Sequence, residues 1–183
     1  MKLKSKFLYL ICYCALASAS IYLAGCGVYS FTGTNINYDL VNTITIKRIE
    51  NLSGNGPAVI SQVFTEGLRD YYQQNTRLTV LTDDEDGDLY LEGEITGYRT
   101  APSTPQSSSN RDGLDLASQT RLTITVRVSF INTTNEEEDF ERTFSFYADF
   151  DSNQPLNAVE AGLVDEISEA IILDIFNATV ANW

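Results

Sequence analysis

The sequence predicts an α+β domain in which two helices pack on one face of a mostly antiparallel, mixed β-sheet, a two-layer sandwich. Three observations lead there. Ser118 to Asn132 and Phe140 to Phe150 alternate apolar and polar residues with period two, the mark of strands with one covered face. Pro57 to Gln74 and Pro155 to Asn177 repeat apolar residues at three and four, the mark of helices with one apolar stripe. Shorter β-branched runs lie between them, giving the order β-α-β-β-β-β-α, and such strands and helices bury their apolar sides most economically as two layers.

The chain opens with a basic head (Lys2, Lys4, Lys6), an apolar run from Phe7 to Leu23, and Leu23-Ala24-Gly25-Cys26. The run is at the low edge of a membrane span and leaves through small residues into a cysteine, so residues 1–25 read as a removed signal peptide with a lipobox. Cys26 is then the lipidation site and first mature residue, since a thiol is the side chain most readily alkylated by a diacylglyceryl donor. Each buried CH2 contributes about 0.8 kcal/mol, and two or more chains anchor stably. Residues 26–40 read as a lipidated tether and 41–183 as one domain.

Removal of residues 1–25 leaves 158 residues, with nine basic side chains against 25 acidic ones and a formal charge of −16. A nucleic-acid partner is excluded by that field. Cys12 and Cys14 leave with the signal and Cys26 is consumed by acylation, so no thiol remains for a disulfide or a thiolate site. The chain has no histidine, which removes the usual general base and the commonest zinc ligand, and no Gly-x-Ser-x-Gly elbow. No catalytic residue, no metal and no cofactor beyond the acyl chains on Cys26 is expected.

In chain order, Val41 to Ile49 reads as a strand, with Ile44, Ile46 and Arg48 opposite Thr43, Thr45 and Lys47. Asn51 to Pro57 is dense in turn formers and ends on a proline suited to a first helical turn. The helix that follows lines up Ile60, Phe64, Leu68 and Tyr71. Leu78 to Leu81 is a short strand. It leads into an acidic stretch, 82–88, that looks like a calcium loop until its positions are counted. With Gly87 at the turn, the twelfth position is Gly93 instead of a glutamate, so an acidic hairpin turn is expected.

Leu89 to Arg99 places Leu89, Leu91, Gly93, Ile95 and Gly97 on the inner face, where the glycines suggest bulges or a close approach. Residues 100–115 have no period and read as a loop. In Ser118 to Asn132, Leu122, Ile124, Val126, Val128 and Phe130 face inward, and Asn132 to Asn135 turns the chain into an antiparallel partner strand. The last helix carries Val159, Leu163, Ile167, Ile171 and Ile175.

Several stretches taken together resemble the LptE family of lipopolysaccharide-assembly lipoproteins. They are Leu23 to Gly33, Phe64 to Asp70, Thr76-Arg77-Leu78, Glu92 to Tyr98, Arg121 to Val126, Ala148 to Ser152 and Asp174 to Asn177. The resemblance implies a two-layer domain on the periplasmic side of the outer membrane, held by its lipid. It also implies two partners: an LptD-type outer-membrane β-barrel, which the domain plugs and helps to assemble, and lipopolysaccharide, which it helps deliver to the outer leaflet.

Against so acidic a chain, anionic headgroups would need local cations, and the candidates are Arg121 and Arg127 on the wet face of one strand with Lys47 on the first strand. The competing reading is that they form cross-strand pairs with Glu92, Glu94 or Glu141. A free-standing lipoprotein that binds a lipid or envelope ligand alone is the alternative function.

Overall fold

The computed structural model describes residues 36–103 and 119–180. The strands are β1 (Thr43–Ile46), β2 (Glu50–Asn51), β3 (Thr79–Leu81), β4 (Leu89–Ser103), β5 (Gln119–Asn132) and β6 (Phe140–Asp151); the helices are α1 (Ile60–Asn75) and α2 (Leu156–Thr179). The sheet runs β3-β1-β4-β5-β6, with β2 continuing beside β4 in the line of β1. It is mixed: β1 lies parallel to β3 and β4, and β2 parallel to β4, whereas the long β4/β5 and β5/β6 pairings are antiparallel. The expected α+β class is what the chain adopts.

Both helices contribute to one core with the inner sheet face. Ile60, Phe64, Leu68 and Tyr72 of α1 and Ile167, Ile171 and Ile175 of α2 are buried with Leu122, Ile124, Val126, Val128 and Phe130 of β5. The five β5 residues are the alternating set read from the sequence. Where the helices meet, Gly67 admits the Cδ1 atom of Ile172, which a Cβ there would approach to 2.7 Å. Tyr72 closes the C-terminal end, its hydroxyl bonded to Thr179 Oγ1 and its ring edge-on to Phe176.

Three local readings are corrected. Residues 41–49 do not form one strand. Between Ile46, opposite Leu91, and Glu50, opposite Glu94, the chain uses one residue more than β4. The N–H groups of Arg48 and Ile49 leave the ladder for Asp83 Oδ1 (2.9 Å) and Thr65 Oγ1 (3.0 Å). The extra residue reverses the alternation, so Ile49 is buried and Arg48 exposed. In β4 a register shift between Ile95 and Gly97 does the same: Tyr98 turns into the core and Gly97 lies against Thr125 on the outer face. β4 also continues to Ser103, beyond the predicted end at Arg99.

The acidic stretch is no hairpin turn, because β3 and β4 are not neighbours. They are separated by β1, and 82–88 passes over its outer face. Thr45 Oγ1 donates to Glu85 O (2.7 Å), and a Cβ on Gly87 would stand 2.8 Å from that hydroxyl. Four of its five acids accept from protein donors, Glu85 from Thr82 N at 3.2 Å. Asp83 accepts from Arg69 Nη2 (3.1 Å) as well as Arg48 N, and Asp86 from the Tyr90 hydroxyl (3.0 Å). Asp88 Oδ2 accepts from Asn42 N (2.8 Å), Thr43 N (3.0 Å) and Thr43 Oγ1 (2.8 Å).

Those bonds, led by the one from Asn42 N, hold the Asp88 carboxyl below its ordinary range. A carboxyl whose folded pKa lies below its unfolded value stabilises the fold above the unfolded value, about 4, and that contribution vanishes as pH falls through the folded value. Asp88→Ala is expected to lower the unfolding free energy by about 2 kcal/mol near neutral pH. Urea titrations should show the difference from wild type shrinking below about pH 4.

Candidate functional site

The helices leave one face of the sheet open, and the candidate site lies there. Cys26, the lipidation residue, is outside the described residues, as are 104–118, which hold most of the predicted 100–115 loop. The three candidate cations are all on this face, but the sheet separates them into two groups.

Lys47 and Arg127 share a shallow groove with Arg48, Glu92, Glu94 and Glu141. Lys47 Nζ bonds Glu92 Oε2 at 3.0 Å. Arg127 bonds Glu94 Oε1 through Nε at 2.8 Å and also through Nη2, and its Nε lies 3.7 Å from Glu141 Oε1. The bond to Glu94 raises the guanidinium further above an already high pKa, and the bond to Glu92 does the same for Lys47. Glu94 is directly across the ladder from Arg127, so register alone brings the pair together.

Arg121 stands six residues along β5, roughly 20 Å away at a strand's rise, so it cannot share one small ligand with Arg127. Its Nε and Nη2 make a two-pronged contact with Asp149 (2.8 Å each), its cross-strand partner, and its Cζ lies 3.6 Å above the Tyr147 ring. The guanidinium holds the Asp149 carboxyl below its ordinary range. Arg99, which sequence reasoning passed over, sits opposite Thr123 and diagonal to Arg121 and makes no ion pair among the described residues. The β4 bulge puts it on this face, and no sequence signal fixes where that bulge falls. Thr123, Thr125 and Ser145 lie between the two charged groups, with Thr125 Oγ1 and Ser145 Oγ 3.0 Å apart.

The face therefore carries Lys47, Arg121 and Arg127 balanced by neighbouring carboxylates, and Arg99 with no ion pair among the described residues, around a row of hydroxyls. An anionic oxygen arriving there can replace a carboxylate at a planar guanidinium without reorganising the sheet. The helical layer is different: α2 carries Glu160, Asp165, Glu166, Glu169 and Asp174 and no basic residue. Glu160 reaches the sheet, accepting from the Tyr98 hydroxyl at 2.6 Å; burial first, and then this carboxylate, push the phenol well above its ordinary range.

Solved structures with a related chain trace include the PelC dodecamer from Paraburkholderia phytofirmans, 8% identical, covering 77% of this chain and 90% of that one with a TM-score of 0.45. Hypothetical protein CT253 from Chlamydia trachomatis is 8% identical over 77% and 99%, with a TM-score of 0.49. Uncharacterized lipoprotein B from Nitrosomonas europaea is 15% identical over 82% and 87%, with a TM-score of 0.45. No curated protein matches the chain at a significant level. The family model described as "LptE: Lipopolysaccharide-assembly" matches residues 41–179, from just before β1 to the end of α2. The chain belongs to the LptE family, lipoproteins of the outer membrane concerned with lipopolysaccharide assembly.

Proposed function

We propose that this protein is the lipid-anchored subunit of a lipopolysaccharide translocon. In this reading it is tethered through acylated Cys26 to the periplasmic side of the outer membrane, plugs an LptD-type β-barrel, helps that barrel assemble and helps pass lipopolysaccharide to the outer leaflet. The observation that carries the reading is the family match over 41–179, nearly the whole of the described domain. Two further features support it. Among the described residues no helix is long and apolar enough to cross a membrane, which agrees with a domain held by its lipid. The open sheet face supplies the cations that an anionic glycolipid needs on a mature chain of formal charge −16.

The role of those cations has a direct test. Arg121→Ala and Arg127→Ala, measured for binding to purified lipopolysaccharide at low salt, are each expected to weaken it on the order of tenfold, the loss of one charge-assisted contact. Lys47→Ala should cost less, because an ammonium lacks the planar fork. Unchanged binding in Arg121→Ala and Arg127→Ala would leave these cations as partners of Asp149 and Glu94 only. The function itself is tested by depleting the protein in its own cell: failure of barrel assembly with lipopolysaccharide retained inside is expected. Normal barrel folding and normal surface lipopolysaccharide would contradict it.

A further inference from the structure

The two edges of the sheet are unequal. β3 closes one edge with three residues, whereas β6 closes the other with 12, roughly 40 Å of strand. Among the described residues no strand pairs with the outward side of β6. Long edges are usually blunted by charged side chains, lysine above all, by proline or by a bulge. β6 contains no lysine and no proline, its charges (Glu141, Arg142, Asp149 and Asp151) lie toward its two ends and leave Thr143 to Ala148 uncharged, and its pairing with β5 runs from Phe140 to Asp151 without a register break.

The hydrogen bonds around β5 show which β6 groups are free to pair. Thr133 N donates to Asp88 O on the β4 side, and Thr125 O accepts from Thr96 Oγ1 on that same side. Asn132 N donates to Asp139 Oδ1 on the β6 side, and Ile124 O accepts from Ser145 Oγ. Odd-numbered residues of β5 thus address β4 and even-numbered ones address β6. Their β6 partners are also even-numbered, Phe144 and Phe146 among them. By the alternation of an antiparallel ladder, Thr143, Ser145 and Tyr147 turn their N–H and C=O groups outward. Phe146 and Tyr147, 38% and 48% exposed, belong to opposite faces, yet their rings stack at 5.9 Å, so they meet around the edge.

The geometry points to β6 as a rail that takes an extended segment of the partner barrel by strand addition, with Phe146 and Tyr147 as its apolar anchor. This inference rests on the translocon reading and adds to it the surface of contact. A second copy of this chain is the poorer occupant. Glu141, Asp149 and Asp151 line the edge strand, and two mature chains of formal charge −16 repel. An incoming strand with lysine or arginine among its outward residues would meet those carboxylates favourably. Main-chain bonds would supply affinity and the alternating side chains selectivity.

The test uses the full-length lipidated protein, free and copurified with its barrel, and reads amide hydrogen exchange along β6. The Ser145 and Tyr147 amides are expected to exchange at least 100-fold more slowly in the complex, while Phe144 and Phe146, already bonded to β5, change little. Thr143→Pro removes an outward N–H without touching the β5 ladder, and should reduce complex formation about tenfold while Thr143→Ala does not. Should Thr143→Pro fail to fold, the exchange pattern decides alone. A complex in which Ser145 and Tyr147 exchange as fast as in the free protein would overturn the edge inference and leave the translocon reading standing. Protection that appears only on self-association would replace the barrel with a second copy, and absence of any barrel complex would sink both readings.

Discussion

Phe64→Ala is expected to lower the unfolding free energy by about 3–5 kcal/mol, a large part of what a domain of this size possesses. The side chain is fully buried where α1 joins the sheet and α2 in one core, and its removal loses apolar burial while leaving a cavity that packed neighbours cannot fill. Phe146→Ala is the internal comparison. It removes the same side chain from the sheet edge, where 38% is already in water, and should cost about 1 kcal/mol or less. Urea midpoints for the two variants read the contrast directly. Equal losses would mean that the α1–sheet contact is not the core.

Cys26→Ser is expected to move the protein from the membrane pellet to the soluble fraction. The described domain has no helix able to cross a bilayer, and a serine hydroxyl is a far poorer nucleophile than a thiol toward the diacylglyceryl donor. Two or more acyl chains hold a protein at a bilayer far more firmly than one, so loss of the cysteine should shift partitioning by orders of magnitude. Fractionation in alkaline carbonate, with the mass of the mature N-terminal peptide, checks it. Retention of the variant in the pellet would mean that a partner or an uncleaved 1–25 segment supplies the attachment, and the mass of the N-terminal peptide separates the two.

The sequence made the layers legible and the irregularities illegible, for one physical reason. Period two survives as long as each residue advances the pleat by one step, as it does through β5, where Leu122, Ile124, Val126, Val128 and Phe130 are buried and the residues between them are not. A single extra residue reverses every side chain beyond it. That happens after Ile46, where Ile49 takes the inward place expected of Arg48, and after Ile95, where Tyr98 takes the inward place expected of Gly97. Local propensity cannot reveal a bulge whose backbone groups are satisfied from far along the chain, by Asp83 and Thr65 in the first case. Strand order was equally hidden. The insertion of β1 between β3 and β4 turns an expected hairpin into a strap, and only tertiary pairing decides it.

The candidate site was legible in part. Arg121, Arg127 and Lys47 lie on the open face where the alternation put them, and Glu92, Glu94 and Glu141 stand beside Lys47 and Arg127 as the competing reading held. The spacing along β5 separates Arg121 from the other two. Its partner Asp149 comes from β6 by register, and Arg99 joins it only because of the β4 bulge. None of these relations is local in sequence.

The central claim is that this domain works as one half of a barrel complex, and its most direct measurement is the mass of what the protein holds. Extracted in mild detergent through a C-terminal tag and weighed as an intact assembly, it is expected to carry one large outer-membrane β-barrel per copy. Recovery as a monomer without a barrel, under conditions that keep other outer-membrane complexes intact, would contradict the claim and move a free-standing lipid-binding lipoprotein into its place.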